Sequence, residues 1–94
     1  MGLYFEWDAK KAVQNIKKHG VSFKEASTVF GDALSLTIPD PLGSVGEERF
    51  LIIGSSRSGK SLVVAHTEKE DTIRIISARP ATSRERRIYE EGKR

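Results

Sequence analysis

Residues 49–78 have the sequence RFLIIGSSRSGKSLVVAHTEKEDTIRIISA, which predicts most of a β-sheet. It contains three apolar runs of strand length, at residues 49–53, 61–65 and 72–78. A fourth run, at residues 34–38, alternates between apolar and polar residues and predicts a strand with one buried face. The links that join the last three runs are short enough for hairpins. Because a parallel crossover needs a dozen or more residues, these links favour antiparallel pairing.

Two helices are predicted before these strands. Asp8 is a suitable N-cap for the first helix, and Gly20 suits the left-handed position at its end. Ser22 and Glu25 have the spacing of a capping box that begins a second helix, which we expect to end at Gly31. The apolar residues of the first helix recur at helical spacing and predict a single buried face, formed by Ala9, Ala12, Val13 and Ile16.

The C-terminal segment predicts a third helix. Thr82 and Glu85 form another capping box, at the start of a helix over residues 83–91. This helix has only Ile88 and Tyr89 to bury. So polar a helix is weakly held by its own domain, which suggests that it contacts a partner or a substrate.

The fold class follows from the order of these elements. We predict an α+β domain with two N-terminal helices, a four-stranded antiparallel sheet and a C-terminal helix. Residues 3–6 are interpreted as a short edge strand, and the length of the chain fits one domain over residues 1–94.

Composition narrows the class of protein. The chain contains no cysteine, so disulfides and thiolate chemistry are excluded. Residues 1–10 lack the apolar run of a signal peptide, and no stretch approaches a membrane span in length. We therefore expect a cytosolic protein that does not contact the membrane.

The net charge of +3 is concentrated at the C-terminus. Residues 79–94 contain six basic and three acidic residues, whereas residues 1–78 contain ten of each sign. A local basic field favours polyanions, of which nucleic acid is the commonest. The alternative is an arginine-rich helix that is simply exposed to solvent.

One segment matches the phosphate-loop pattern but is not followed by the helix that this loop requires. Residues 54–61, GSSRSGKS, fit the phosphate-loop pattern G-x-x-x-x-G-K-S. That loop binds phosphate at the N-terminus of a following helix, whereas the LVVA that follows here predicts a strand. Glycine, serine and lysine also suit a hairpin tip, so we do not predict nucleotide hydrolysis. Arg57 and Lys60 remain candidates for contact with a nucleic-acid backbone.

Metal chemistry is poorly supported, whereas RNA cleavage fits the residues present. The two histidines, His19 and His66, are far apart in sequence, and neither an H-E-x-x-H motif nor a nucleophile elbow occurs. RNA cleavage needs no metal, because the substrate's 2′-hydroxyl is the nucleophile. The protein must supply a base and cations that stabilise the phosphorane.

Residues suited to these roles occur in the last two predicted strands. Residues 64, 66 and 68 share one face, so His66 lies beside Glu68. Arg74 lies inside the next strand, and Arg79 lies at its end. Together they predict a phosphate site rimmed by the basic helix. The alternative is that His66 and Arg74 are ordinary solvent-facing residues, with Glu68 paired to one of them.

Three blocks of this sequence together resemble the BrnT family of bacterial type II toxins. The blocks are FEWD followed by KHGVSF, then HTE, then IRIISARPAT followed by Glu85, Arg86 and Tyr89. Their order and spacing hold from about residue 4 to residue 91. The resemblance implies a RelE-like fold and a metal-independent, cofactor-free RNA endonuclease that blocks translation and arrests growth. It also implies a BrnA-like antitoxin with a ribbon-helix-helix domain, through which alone the complex contacts operator DNA.

Site residues follow from the same resemblance. It makes Arg79 the first candidate for clamping the scissile phosphate and Arg74 the second. His66 is the candidate base or acid, oriented by Glu68. The residues expected to bind RNA are Trp7, His19, Arg84, Arg86 and Arg87. For two of these residues a structural role instead of RNA binding stays open, since Trp7 can belong to the core and His19 can cap its helix. A non-catalytic module that binds nucleic acid or protein through the basic helix is the alternative function.

Overall fold

The computed structural model describes residues 3–42 and 47–92. Residues 1–2, 43–46 and 93–94 lie outside these ranges, so the predictions that include them are not described further. The described residues form β1 (Tyr4–Glu6), α1 (Ala9–His19), α2 (Phe23–Ser27), a 3-10 turn (Thr28–Gly31), β2 (Leu36–Pro39), β3 (Phe50–Ser55), β4 (Ser61–Lys69), β5 (Thr72–Pro80) and α3 (Ser83–Gly92).

The sheet has five strands in the order β1-β5-β4-β3-β2. Strands β2 to β5 pair antiparallel with their neighbours along the chain, as predicted. The prediction of a four-stranded, purely antiparallel sheet was wrong, because β1 adds a fifth strand that pairs in parallel with β5. This pairing is possible because the long segment between β1 and β5 returns the chain to the same end of the sheet. The α+β class itself is confirmed.

Each face of the sheet packs against different helices. The face that packs against α1, α2 and the 3-10 turn, which we call the helical face, carries the main core. That core consists of Val21, Phe23, Ala26, Val29, Ile52, Leu62, Val64, Ile73, Ile75 and Ala78. On the opposite face, which we call the α3 face, Ile53 and Val63 pack against Tyr89 of α3. The two faces alternate along β3 and β4. Along β5 the alternation is interrupted, because the register shifts opposite Ala65/His66, so Ile73, Ile75 and Ala78 share the helical face.

Helix α1 begins and ends as predicted, but it buries a different side. Asp8 Oδ1 accepts hydrogen bonds from the backbone of Lys10 and Lys11, and Gly20 ends the helix in the left-handed conformation. Ala12 packs against the main core as predicted, but Ala9 is exposed, and Val13 and Ile16 are 54% and 51% exposed, so the predicted buried face was wrong at these three positions.

A polar residue of α1 is buried in place of that apolar face. The Asn15 amide nitrogen donates to Val21 O (2.9 Å) and Ala78 O (2.8 Å), and its oxygen accepts from Ala78 N (3.1 Å). A polar side chain with three such partners can be buried at little cost. Apolar periodicity alone therefore selects the wrong side of this helix.

The two predicted capping boxes differ. At α3 the box is reciprocal, since Glu85 N donates to Thr82 Oγ1 (3.1 Å) and Thr82 N donates to Glu85 Oε1 (2.9 Å). At α2 the Ser22 hydroxyl accepts from Glu25 N (3.0 Å), but the Glu25 carboxylate contacts the β3–β4 hairpin instead. Helix α2 is also shorter than predicted and continues as the 3-10 turn.

Two further expectations concern α3 and the phosphate-loop lookalike. Tyr89 is buried as predicted, whereas Ile88 is about half exposed. Ser61 begins β4 rather than a helix, so residues 54–61 form a hairpin as predicted. Within the described ranges, every helix is too short or too polar to cross a membrane.

Candidate nucleic-acid site

A groove of about 450 Å³ opens where the end of α1, the β3–β4 hairpin and α3 meet. We call it the basic groove. Three side chains that can carry positive charge line it, one from each element: His19, Lys60 and Arg86. The remaining lining residues are Gly20, Val21, Gly59, Ser61, Leu62 and Pro80. The structure therefore brings together His19 and Arg86, both predicted to bind RNA, with Lys60 of the hairpin.

Local structure fixes the backbone position of each of these three residues. His19 is the last residue of α1, where Gly20 N donates to Ile16 O (2.8 Å) and closes the helix. A cation at a helix C-terminus is favoured by the helix dipole. Lys60 lies at the end of the hairpin tip, where its carbonyl accepts from Ser56 N (2.8 Å). Arg86 lies in the first turns of α3, where its backbone N–H donates to Thr82 O (2.9 Å).

Arg79 precedes Pro80 of the groove in the chain, but it is not among the residues that line the groove, and its side chain is already engaged. Its two terminal nitrogens donate to the two carboxylate oxygens of Glu85, at 2.7 and 2.8 Å. This hydrogen-bonded pair lowers the pKa of Glu85 from 4.5 to about 2 and raises the pKa of Arg79. The Arg79 side chain remains 38% exposed, so its other N–H groups can still reach a phosphate. The pair also joins the end of β5 to the first turn of α3.

Arg74 lies towards the other end of β5. Arg74 and Arg79 are paired with Thr67 and Val63, which are four positions apart on β4, a separation of about 13 Å along a strand. Arg74 lines a second cavity, of about 350 Å³, together with Glu6, Glu47, Thr67, Lys69, Glu70 and Thr72. Acidic residues outnumber basic ones in that lining. The structure therefore does not bring Arg74 and Arg79 to the same phosphate.

His66 lies inside the core. It has no exposed surface, and its Nε2 lies 2.8 Å from Glu68 Oε2 while its Nδ1 lies 3.3 Å from Val64 O. The ring packs edge-on against Phe30 and also contacts Phe50, with centroid distances of 4.8 and 5.9 Å. His66 and Glu68 are thus in contact, but His66 is neither on the solvent face nor accessible to a substrate.

His66 and Arg79 lie on opposite faces of the sheet. Arg79 is paired across the strands with Val63, which packs on the α3 face, whereas His66 packs against Phe30 on the helical face. The expectation that one polar patch combines His66, Glu68 and Arg79 needs correction for this reason. Strand periodicity shows which residues of one strand share a face, but it does not show which face another element covers. A register shift at Ala65/His66 adds to the difficulty.

The other predicted RNA-binding residues lie outside the basic groove. Trp7 is 39% exposed and packs edge-on against Phe23 at a centroid distance of 6.0 Å, so it belongs partly to the core and partly to the surface. Arg84 and Arg87 are exposed on α3. In the part of the chain that the structure describes, no three His, Asp or Glu residues are grouped to hold a metal ion.

The fold and the groove define a small α+β protein with a cationic surface built from two helices and a hairpin. A family model described as "Ribonuclease toxin, BrnT, of type II toxin-antitoxin system" matches residues 7–85. The chain therefore belongs to the BrnT family of ribonuclease toxins.

A solved structure supports the same fold. It is the crystal structure, at 1.1 Å resolution, of the ribonuclease toxin BrnT from Brucella abortus, with a TM-score of 0.66 and 21% sequence identity. The match covers 86% of this chain and 99% of that chain. At this identity the likeness concerns the fold alone. No curated protein matches this chain with significant similarity.

Proposed function

We propose that this chain is a toxin that cuts RNA in the basic groove without a metal ion or cofactor. The observation that carries the proposal is the convergence of His19, Lys60 and Arg86 on one groove. A cleft that combines an imidazole with several cations has both components that RNA cleavage through the 2′-hydroxyl requires.

The reaction divides between proton transfer and charge stabilisation. A base takes the proton of the 2′-hydroxyl, the 2′-oxygen bonds to the adjacent phosphorus, and the 5′-oxygen leaves with a proton. The products are a 2′,3′-cyclic phosphate and a 5′-hydroxyl. Imidazole is suited to the proton transfers because it titrates near neutral pH. Guanidinium groups are suited to the phosphorane because they bind two of its oxygens at once.

Burial and position suggest the role of each residue. His19 is the imidazole available in the groove, so it replaces the buried His66 as our candidate for proton transfer. Arg86 and Lys60 bind the phosphate, and the free N–H groups of Arg79 add to this clamp. His66 and Glu68 then support the fold.

The remaining predicted residues are assigned to flanking RNA rather than to the reaction. Trp7, Arg74, Arg84 and Arg87 all have exposed surface outside the groove. Exposed cations and one aromatic ring are suited to contacts with the phosphate backbone and with an unstacked base.

Type II toxins act with a protein partner, and we extend this to the present chain. We propose that it blocks translation in the cytoplasm and arrests growth until a BrnA-like antitoxin with a ribbon-helix-helix domain covers it. An acidic segment of the antitoxin would complement the basic groove. Contact with operator DNA would then belong to the antitoxin and not to this chain.

Cleavage of a purified RNA in the presence of EDTA tests the nuclease directly. We expect the wild-type protein to produce 2′,3′-cyclic phosphate ends, and a 2′-deoxy substitution at the cut site to stop the reaction. Cleavage that requires an added divalent ion, or cleavage that survives the 2′-deoxy substitution, would contradict the proposal.

Growth after induction of the chain alone tests the toxin. We expect arrest by the wild type and relief by His19→Ala and Arg86→Ala, with folding checked by circular dichroism. Lys10→Ala is the matched control, since it removes one positive charge from the exposed start of α1. Arrest that all three variants retain would place the active surface elsewhere.

One observation favours the alternative of a non-catalytic binding module. His66 and Glu68 lie on the face opposite Arg79, and Arg79 is itself engaged by Glu85. Such a module would bind RNA through the same groove but leave it intact. The EDTA experiment separates the two functions, because a binder shifts the RNA in a gel without shortening it.

A further inference from the structure

The β3–β4 hairpin, which contains the GSSRSGKS segment, is hydrogen-bonded to side chains of α2 and the 3-10 turn. The hydroxyls of Ser56 and Ser58 both donate to Oε2 of Glu25, the first of them at 2.8 Å. The backbone N–H of Arg57 donates to Thr28 Oγ1 at 2.8 Å. A hairpin tip exposed to solvent does not need three bonds to another element in order to form. These contacts therefore restrict where the tip sits relative to α2.

The two glycines of the GSSRSGKS segment, Gly54 and Gly59, are explained by the local structure of the hairpin. Gly54 passes close to the 3-10 turn, where a Cβ atom would lie 3.0 Å from both Ser35 Cβ and Val29 Cγ1. Gly59 has a φ of 86°, a left-handed conformation that glycine adopts without strain. The glycines of the lookalike motif thus serve close packing and a tight turn.

Hydrogen bonds within the hairpin tip connect Ser56, which contacts Glu25, to the backbone of Lys60. Ser56, which Glu25 holds, donates its backbone N–H to Lys60 O (2.8 Å) and accepts from Lys60 N at its hydroxyl (3.2 Å). Gly59 N also donates to Ser56 O (2.9 Å). Lys60 is therefore bonded at both backbone groups to the serine that contacts Glu25. Its side chain then lines the basic groove.

We propose that Glu25 is a positioning residue that acts through Ser56 and Ser58 to hold Lys60 in the basic groove, where Lys60 binds a phosphate of the RNA. The inference rests on the proposed function for the identity of the ligand. A lysine side chain has a long flexible stem, so a fixed backbone reduces the freedom that is lost when it binds. The hydrogen bonds from Ser58 and Ser56 lower the pKa of Glu25, which keeps the carboxylate ionised at neutral pH.

A double-mutant cycle on RNA binding tests this chain of contacts. The probe is an RNA oligonucleotide with 2′-deoxy substitutions, so that it binds without being cut. We expect Glu25→Ala and Lys60→Ala each to weaken binding by about tenfold, and the double variant to be no weaker than Lys60→Ala. Independent losses would instead multiply to about a hundredfold, and that result would overturn the inference.

The Glu25→Gln variant separates positioning from charge. Both serine hydroxyls donate to one oxygen, and glutamine keeps such an oxygen while it loses the negative charge. We expect Glu25→Gln to bind the oligonucleotide at least as tightly as the wild type. Weakening of Glu25→Gln to the level of Glu25→Ala would contradict a role for these hydrogen bonds. Ser58→Ala, at an exposed position, offers a second variant should Glu25→Ala not fold.

Controls distinguish this inference from the proposed function. Glu48→Ala removes one exposed negative charge outside the hairpin and should leave binding within about twofold of the wild type. Binding without cleavage by the wild-type protein would overturn the nuclease and leave the cycle valid. Failure of the wild type to bind the oligonucleotide even at low salt would overturn both.

Discussion

The two histidines of this chain lie in regions that differ in every physical respect. His19 ends a helix and lines an open groove with Lys60 and Arg86. His66 lies in a central strand, fully buried between Phe30 and Phe50, and contacts Glu68. The comparison shows that an imidazole next to a carboxylate need not be a catalytic pair. Access decides what a histidine can do, and access depends on the elements that cover its strand.

The largest expected effect breaks the buried region. His66→Ala removes a buried ring and leaves the Glu68 carboxylate without its imidazole contact. We expect the free energy of unfolding to fall by about 2–4 kcal/mol, since the substitution opens a cavity and deletes buried hydrogen bonds. Urea denaturation measures this loss, and His19→Ala should change the same quantity by less than about 0.5 kcal/mol. Equal losses in both variants would remove the distinction between the two regions.

The next effect concerns the open region. His19→Ala is expected to lower kcat for RNA cleavage by about a hundredfold, the size of a lost general acid or base, with little change in KM. Steady-state cleavage of a defined oligonucleotide gives both constants. A fall in kcat/KM that comes entirely from KM would show that His19 binds RNA without transferring a proton.

The ion pair between Arg79 and Glu85 predicts that the free energy of unfolding depends on pH. The pKa of Glu85 is about 2 in the folded chain, against an ordinary value of 4.5. A carboxyl group whose pKa is lower in the folded chain than in the unfolded chain stabilises the fold when it is ionised. This contribution is therefore fully present above about pH 4.5, the pKa in the unfolded chain, and is lost as the pH falls towards 2. Allowing for solvent screening, we expect a loss of about 1–2 kcal/mol across this window. Urea unfolding at several pH values gives the free energy of unfolding as a function of pH. This free energy should depend less on pH in Glu85→Gln than in the wild type. An unchanged pH dependence would contradict the stabilising role of the Arg79–Glu85 pair.

The smallest effect sharpens the comparison between the basic groove, which Arg86 lines, and the cavity that Arg74 lines. Arg86→Ala should weaken RNA binding about three- to tenfold and reduce the slope of log K against log salt by roughly one. Arg74→Ala removes the same charge from that acidic cavity, and its effect should be smaller. Titration of labelled RNA at four salt concentrations measures both slopes. A larger effect at Arg74 would move the RNA site away from the basic groove.

Much of the fold was predictable because it depends on local interactions. Asp8, Gly20 and the Thr82/Glu85 box mark helix ends through contacts within a few residues. Hairpin pairing of β3, β4 and β5 follows from apolar runs and short links. The edge strand predicted at residues 3–6 is confirmed as β1, but its parallel pairing with β5 was not predicted, because it joins segments that are far apart in the chain.

The candidate site was predictable only in part. Sequence and family resemblance selected His19 and Arg86, and the phosphate-loop letters drew attention to Lys60, but no pattern showed that the three residues meet. Asn15 and Glu25 were not selected, since their partners are the backbone of β5 and the hydroxyls of the β3–β4 hairpin. Contacts of this kind leave no periodic signal in the chain.

The local elements, the α+β class and the excess of positive charge at the C-terminus could thus be predicted from the sequence alone. The burial of His66, the exposure of His19 in the groove and the burial of Asn15 rather than Ile16 became evident only from the packing of the elements. The two groups of features differ in the range of the interactions that produce them. Caps and hairpins are set by neighbours along the chain, whereas burial depends on which distant element packs against each face of the sheet.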